Sequence, residues 1–190
     1  MLLKIQSWVK TQVSPLRFRH IQRVAETAER LAERYGLPLA QARLAAWLHD
    51  SGKEMSRTEM KIWLKTANFK LDEDEKKMPG LWHPHVGAAL AMKKWGIKSP
   101  SVLEAIRCHT LGKPGMKPLA QLLFVADFIE PGRTFPGVLA ARASANRDLT
   151  EGVLAKASMT IDFLFGKGMK VHPRLLETWN YFTAVHHEKN

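Results

Sequence analysis

The chain has 190 residues, of which 45% are hydrophobic and 25% charged, a balance that excludes disordered and fibrous classes. Its length allows one well-buried core but is short for two domains of ordinary size, so a single domain over 1–190 is expected, with 1–14 as a helical lead-in. With 29 Lys and Arg against 18 Asp and Glu, the net charge of +11 draws anions without choosing among nucleic acid, a membrane surface and phosphorylated metabolites.

The opening MLLKIQSWVK interrupts its apolar residues with lysines and polar groups, unlike a secretory signal, and no later stretch reaches membrane-spanning length. A cytoplasmic location with no membrane partner is expected. Beyond it, apolar residues recur at three- and four-residue spacings and alternating β-branched runs are scarce, so the expected fold is an all-α, multi-helix bundle. Ser14-Pro15 supplies a cap and a first-turn proline for a long helix with the stripe Ile21, Val24, Ala28, Leu31 and Tyr35, ended by Gly36. A second helix opens at Pro38, carries Leu39, Ala42, Ala45, Ala46 and Leu48, and stops near Gly52. Ser56 and Glu59 form a capping box for a third, with Met60, Trp63, Leu64 and Ala67. The acidic LDEDEKK after it reads as an exposed loop.

After Pro84 a helix carries Val86, Leu90 and Trp95 to Gly96, and Ser99-Pro100 opens another through Val102, Ile106 and His109. The single cysteine, Cys108, excludes an internal disulfide framework and reads as a small buried hydrophobe. LGKPGMKP, with two prolines and two glycines, reads as a loop before the apolar helix LAQLLFVADFI, and EPGRTFPG as a second loop. Asp148 and Glu151 form a capping box for a helix reaching about Phe165, and a last helix runs through Leu175, Leu176, Trp179 and Phe182. The basic residues Arg17, Arg19, Arg23, Arg30, Arg34, Lys61, Lys65, Lys93 and Lys94 are scattered along these helices and read as solvated faces.

Chemistry concentrates at a few polar residues in apolar settings. Asp127 stands in a helix that is apolar on nearly every side, where a lone carboxylate costs several kcal/mol unless a cation meets it. That cation is either a buried arginine, with Arg107 the candidate, or a metal. His49 and Asp50 end an apolar helix together, and adjacent residues can chelate one ion only where the helix stops, as Gly52 suggests. His20 borders the buried stripe of the first long helix, His109 shares a face with Val102 and Ile106, and His83 precedes a helix start. Each histidine alone is more often structural than a ligand. Together they form a nitrogen and oxygen donor set without cysteine, which suits iron, manganese, cobalt or zinc at a catalytic site. His20, His49, Asp50 and Asp127 suffice for one ion with open positions, and His83 and His109 could serve a second ion or a phosphate. His85, His172, His186 and His187 read as structural or solvated.

RFRHIQRV, LHDSGK, LWHPHVGA, IRCHTLGKPGM and above all VADFIEPGRTFPGV resemble the HD-domain superfamily of metal-dependent phosphohydrolases. Within it they resemble the YqeK-type symmetrical bis(5'-nucleosyl)-tetraphosphatases, from about residue 15 to the terminal helix. The resemblance implies a helical HD bundle with a metal site in its core, often iron, and symmetrical hydrolysis of diadenosine tetraphosphate to two ADP. It carries the metal ligands onto His20, His49, Asp50 and Asp127. Substrate contacts fall on the same His20, Asp50 and Asp127 and on Lys53, His83, His109, Thr110 and Arg133, with His49, Asp50 and Lys53 as the catalytic group. Two departures, Ser51-Gly52 after the His-Asp pair and Leu139 after Pro136-Gly137-Val138, bear on substrate preference and leave every ligand in place.

The chemical logic agrees: polyphosphate repels hydroxide, and a bound ion both polarises the phosphoryl oxygen and lowers the pKa of its water from 15.7 towards roughly 7. The expected attack by that hydroxide falls on a phosphorus beside the central bridging oxygen. Lys53, Arg133, Thr110, Lys113 and the amides near Gly112 and Gly115 offer anion contacts. Phe135 offers a ring to adenine, although a loop aromatic is more often a core plug. A nucleotidase or guanosine polyphosphate hydrolase would keep the metal and change the substrate. A non-catalytic RNA- or ribosome-binding module would use the charge but has no need of Asp127. Nucleic acid is therefore not required as a partner, and a homodimer is an open expectation.

Overall fold

Ser14 accepts from the Arg17 amide and Pro15 presets the first turn, so the chain enters α2 (Pro15–Arg34) directly from the short α1 (Leu2–Gln12). The structure, a computed structural model, describes residues 1–188 and contains no strand among them. After α2 come α3 (Leu39–Leu48), α4 (Arg57–Thr66), α5 (Glu73–Lys77), a 3-10 turn at Pro79–Leu81, α6 (His83–Lys93) and α7 (Pro100–Cys108). They are followed by α8 (Pro118–Ile129), α9 (Val138–Arg147), α10 (Leu149–Gly166) and α11 (Pro173–Glu188). No helix among the described residues is long and apolar enough to cross a membrane.

The apolar run in α8 makes it the axis of the bundle: Leu119, Ala120, Leu122, Leu123, Phe124, Val125 and Ala126 are all buried. It packs on α2, α7 and α10, while α3 fills the space between α2 and α7. Each large side chain buried this way contributes about 1.5–3 kcal/mol. The stripes on α2 (Ile21, Val24, Ala28, Leu31) and α7 (Val102, Ile106) face this axis. A smaller cluster of Met60, Leu64, Trp82, Val86 and Leu90 joins α4 to α6.

One glycine decides how closely the layers approach. A Cβ at Gly87 would lie 2.8 Å from Leu48 O and 3.1 Å from His49 O, so α6 presses directly on the last turn of α3. That contact brings His83 beside the His49-Asp50 pair.

One expectation fails, and one stretch left unassigned is helical. LDEDEKK is not a loop: Asp72 caps α5, accepting from the Asp74 and Glu75 amides, while Glu75 returns a bond to the Asp72 amide and is itself buried. Charge run and capping box coincide here, and the box wins because partners on α6 and α11 neutralise the charge. The segment between EPGRTFPG and Asp148 forms α9, whose Val138, Ala141 and Ala145 are buried; its sparse apolar spacing gave little periodic signal.

Candidate metal centre

Five helices deliver the polar residues to one point. His20 lies on the buried side of α2, His49 and Asp50 follow the last turn of α3, His83 begins α6, His109 caps the end of α7, and Asp127 stands near the end of α8. The four histidines and Asp50 are buried.

Each imidazole is pinned through Nδ1. His49 donates to Ala46 O at 2.6 Å, His83 to Gly80 O at 2.8 Å and His109 to Ile106 O at 2.7 Å, in each case the carbonyl three residues back. His20 donates instead to Glu130 Oε1 at 3.2 Å. These hydrogen bonds assign the tautomers, and a ring donating from Nδ1 presents a lone pair at Nε2. Carbonyls and carboxylates are the usual outer partners that orient metal-binding imidazoles.

All four Nε2 atoms close on Asp50. Its Oδ2 is 3.7 Å from His20 and 3.6 Å from His49, and its Oδ1 is 3.4 Å from His83 and 3.5 Å from His109. The Nε2 atoms of His83 and His109 face each other at 3.1 Å. Those of His20 and His49 are buried without a hydrogen-bond partner. Burial pushes the pKa of His49 down to about 4 and that of His83 well below the usual range, so these two rings carry no charge at neutral pH.

Lone pairs converging on a carboxylate need a cation, and the donor set fits a divalent transition ion. The ligand atoms of His20, His49 and Asp50 lie within 4.8 Å of one another, as do those of Asp50, His83 and His109. Asp127 reaches the first group through His20, its Oδ1 3.2 Å from Nε2.

The cation facing Asp127 from inside the core is Lys156, not Arg107, whose guanidinium lies over the Phe69 ring at 5.6 Å. Lys156 Nζ donates to Asp127 Oδ2 at 3.1 Å and to the carbonyls of His109 and Phe124 at 2.7 Å each, which uses all three of its protons. A lysine on the buried face of α10, three residues after Val153, was the available signal.

Arg133 donates Nη2 to Asp127 Oδ1 at 2.9 Å, and Nε to the Asp127 carbonyl at 3.1 Å. Lys53 Nζ sits 3.2 and 3.3 Å from the two ring nitrogens of His83, and Thr110 Oγ1 is 3.2 Å from His83 Nε2 and 3.1 Å from His109 Nε2. Both therefore stand at the edge of the centre.

Two arginines read as solvated are not. Arg17 donates to Asp50 Oδ2 at 2.8 Å, and Arg23 binds Glu130, the buried carboxylate that also holds His20. Glu130 follows an apolar helix directly, ahead of Pro131-Gly132, so its position carried the same signal as Asp127. With Ser14, Glu54 and Gly132, the three arginines Arg17, Arg23 and Arg133 line a mouth of about 230 Å³ that reaches His20.

Beyond Thr110 the loop after His109 packs against the bundle. Lys113 pairs with Glu104 at 2.6 Å, a Cβ at Gly112 would meet Thr178, and one at Gly115 would touch Tyr181, so the loop seats against α11. Phe135 lies against Phe128, ring centroids 4.6 Å apart. His85 binds Glu75 at 2.7 Å, and His172 accepts from the Arg174 amide at 3.1 Å while lining a cavity that Lys53 and Thr110 also line.

A helical core joining a histidine, a His-Asp pair and a later aspartate around an electron-rich cavity defines a metal-dependent hydrolase class. The chain belongs to the HD-domain family, whose model matches residues 17–132. A Bacillus subtilis relative named bis(5'-nucleosyl)-tetraphosphatase, symmetrical, is 38% identical over 93% of this chain and 94% of its own length. A Staphylococcus aureus relative of the same name is 33% identical over 94% and 93%. The crystal structure of a Clostridium acetobutylicum protein, described as a predicted HD superfamily hydrolase involved in NAD metabolism, superimposes with a TM-score of 0.91 at 33% identity, covering 95% of this chain and 96% of that one.

Proposed function

We propose that this hydrolase cleaves diadenosine tetraphosphate symmetrically into two ADP, with the His20, His49, Asp50 and Asp127 cluster as its metal site. One observation carries the reading: four Nδ1-anchored imidazoles turn their Nε2 atoms to the single carboxylate of Asp50. The relatives' name supplies the substrate.

When bound, a divalent ion supplies a nucleophile near neutral pH and polarises a phosphoryl oxygen. The protein's own groups do the rest. Asp50 turns Oδ2 to His20 and His49 and Oδ1 to His83 and His109; the first pair with Asp127 would hold one ion, and the second pair could serve a second ion or a phosphate. Iron is the first choice among iron, manganese, cobalt and zinc, on the family resemblance and the absence of thiolate. Glu130 and the three carbonyls hold the imidazoles in the ligand tautomer. Lys156, with no proton to spare, fixes Asp127 and the backbone of His109. Lys53 on one side, and Arg17 and Arg133 on the other, are placed to neutralise a polyphosphate laid across the centre, and the Thr110 hydroxyl offers a hydrogen bond beside Lys53. Two like positive groups flanking the centre suit cleavage at the middle of a chain of phosphates.

Anaerobic reconstitution with iron, manganese, cobalt or zinc, followed by incubation with diadenosine tetraphosphate and separation of the nucleotides, tests the proposal. ADP as sole product is expected. AMP with ATP, or turnover of guanosine polyphosphates alone, would replace the substrate assignment. His49→Ala and Asp50→Ala variants that stay folded and keep both metal and turnover would overturn the site.

A further inference from the structure

Beside the metal centre the protein holds a second, unlike space. A cavity of about 650 Å³ is walled by Phe128, Phe135, Met159 and Phe163, with Arg133 and Asp162 also lining it. It begins one side chain from the proposed ligands, because Arg133 is bonded to Asp127 and Phe128 is the next residue along α8.

We infer that this cavity binds the purine base of one nucleoside of the dinucleoside polyphosphate, with Arg133 taking the phosphate nearest that nucleoside; the inference rests on the proposed activity. The volume falls in the range of small-molecule sites. Its walls are built, not incidental. Phe128 and Phe135 back each other at 4.6 Å between centroids, which fixes one aromatic wall. Gly137, at φ +88, lets the loop carrying Phe135 approach α10 so closely that a Cβ there would lie 2.6 Å from Met159 Cε. On α10 itself, Phe163 leaves 60% of its surface exposed, an uncovered ring suited to stacking a base.

The charge order also matches a nucleotide. Moving from the aromatic walls towards Asp50, a ligand meets Arg133, then the Asp127–His20 edge of the centre. A base, a sugar and then phosphates follow the same sequence.

The opposite side differs. The cavity of about 460 Å³ next to Lys53 and Thr110 has no Phe, Tyr or Trp among its lining residues and is walled by Leu81, Leu164 and Met169 among others. A symmetrical substrate therefore meets an asymmetrical protein, and the aromatic side holds its base more tightly.

Phe135→Ala and Phe163→Ala in the metal-loaded enzyme provide the test, read by calorimetric titration of ADP and of inorganic pyrophosphate and by steady-state kinetics. ADP affinity is expected to fall about tenfold, which is about 1.4 kcal/mol, while pyrophosphate affinity and metal content stay at wild-type values. KM for diadenosine tetraphosphate should rise with kcat within about twofold, and Phe163→Tyr should restore it. Unchanged ADP affinity in both alanine variants, or equal loss of ADP and pyrophosphate, overturns the base site. Phe163 is exposed, so its variant decides alone if Phe135→Ala fails to fold. Should the wild type bind ADP but leave diadenosine tetraphosphate intact, the proposed activity falls and the ADP titrations still judge the cavity.

Discussion

Two buried clusters in this protein are built from the same residue types and behave in opposite ways. Around Glu75, His85 and Arg174 each contribute a bond at 2.7 Å and Arg174 also reaches Asp72, so every carboxylate charge has a counter-charge from the chain. Around Asp50, apart from Arg17, the neighbours are the Nε2 atoms of Nδ1-anchored imidazoles. The first cluster is a clip that ties α5 and α6 to α11. The second is electron-rich and complete only with a cation. The difference lies in what the partners can donate, since Arg174 and His85 both donate to Glu75, whereas Arg17 meets only Oδ2 of Asp50 and the Nδ1-anchored histidines leave Oδ1 open.

The largest expected effect breaks the open cluster. Asp50→Asn should lose bound metal and diadenosine tetraphosphate hydrolysis while the metal-free protein unfolds within a few degrees of wild type, as metal analysis, product assay and thermal scans would read. A several-degree collapse of the metal-free variant would instead make Asp50 a second clip. Removing metal from the wild type by chelation should lower its melting temperature, since saturation at 100 times Kd adds about 2.7 kcal/mol. Insensitivity to chelator would contradict an open site.

Breaking the closed cluster should do the reverse. Glu75→Gln is expected to cost about 3 kcal/mol in denaturant unfolding and leave metal content and specific activity alone. Burial works against ionised Glu75, but His85 and Arg174 outweigh it and bring its pKa to about 2. A depressed carboxylate stabilises above its unfolded pKa of 4.5. The stability gap between wild type and Glu75→Gln should thus be full above pH 4.5 and close as pH falls through about 2. A gap that persists at the acid end would assign the loss to packing. The smallest effect sharpens the comparison: Glu130→Gln keeps the fold but loosens His20, and metal affinity should drop about 10- to 100-fold by equilibrium dialysis.

The helical class was legible because α2 and α7 carry stripes that a 3.6-residue period explains, and because Ser14, Ser56 and Ser99 mark the starts of α2, α4 and α7. Of the centre, the residues that break an apolar pattern were legible: Asp127 in α8, His20 at the edge of α2, His109 on the face of Ile106. Lys156, Arg17 and Arg23 were not, since a basic residue on an amphipathic helix looks solvated until tertiary contacts show what it meets. Glu75 was hidden by the opposite error, a charge run that looked like a loop. Long-range pairing is what a single chain pattern omits.

The missing Cβ at Gly87 has a wider consequence. Because α6 rests directly on the carbonyls of Leu48 and His49, a side chain there must push either His83 or the His49-Asp50 pair out of register. The donors come from residues 20 to 127 at five separate helices, so they meet only once α2, α3, α6, α7 and α8 have packed together. A bound ion would then report the assembly of these five helices, and its release on unfolding would coincide with their separation.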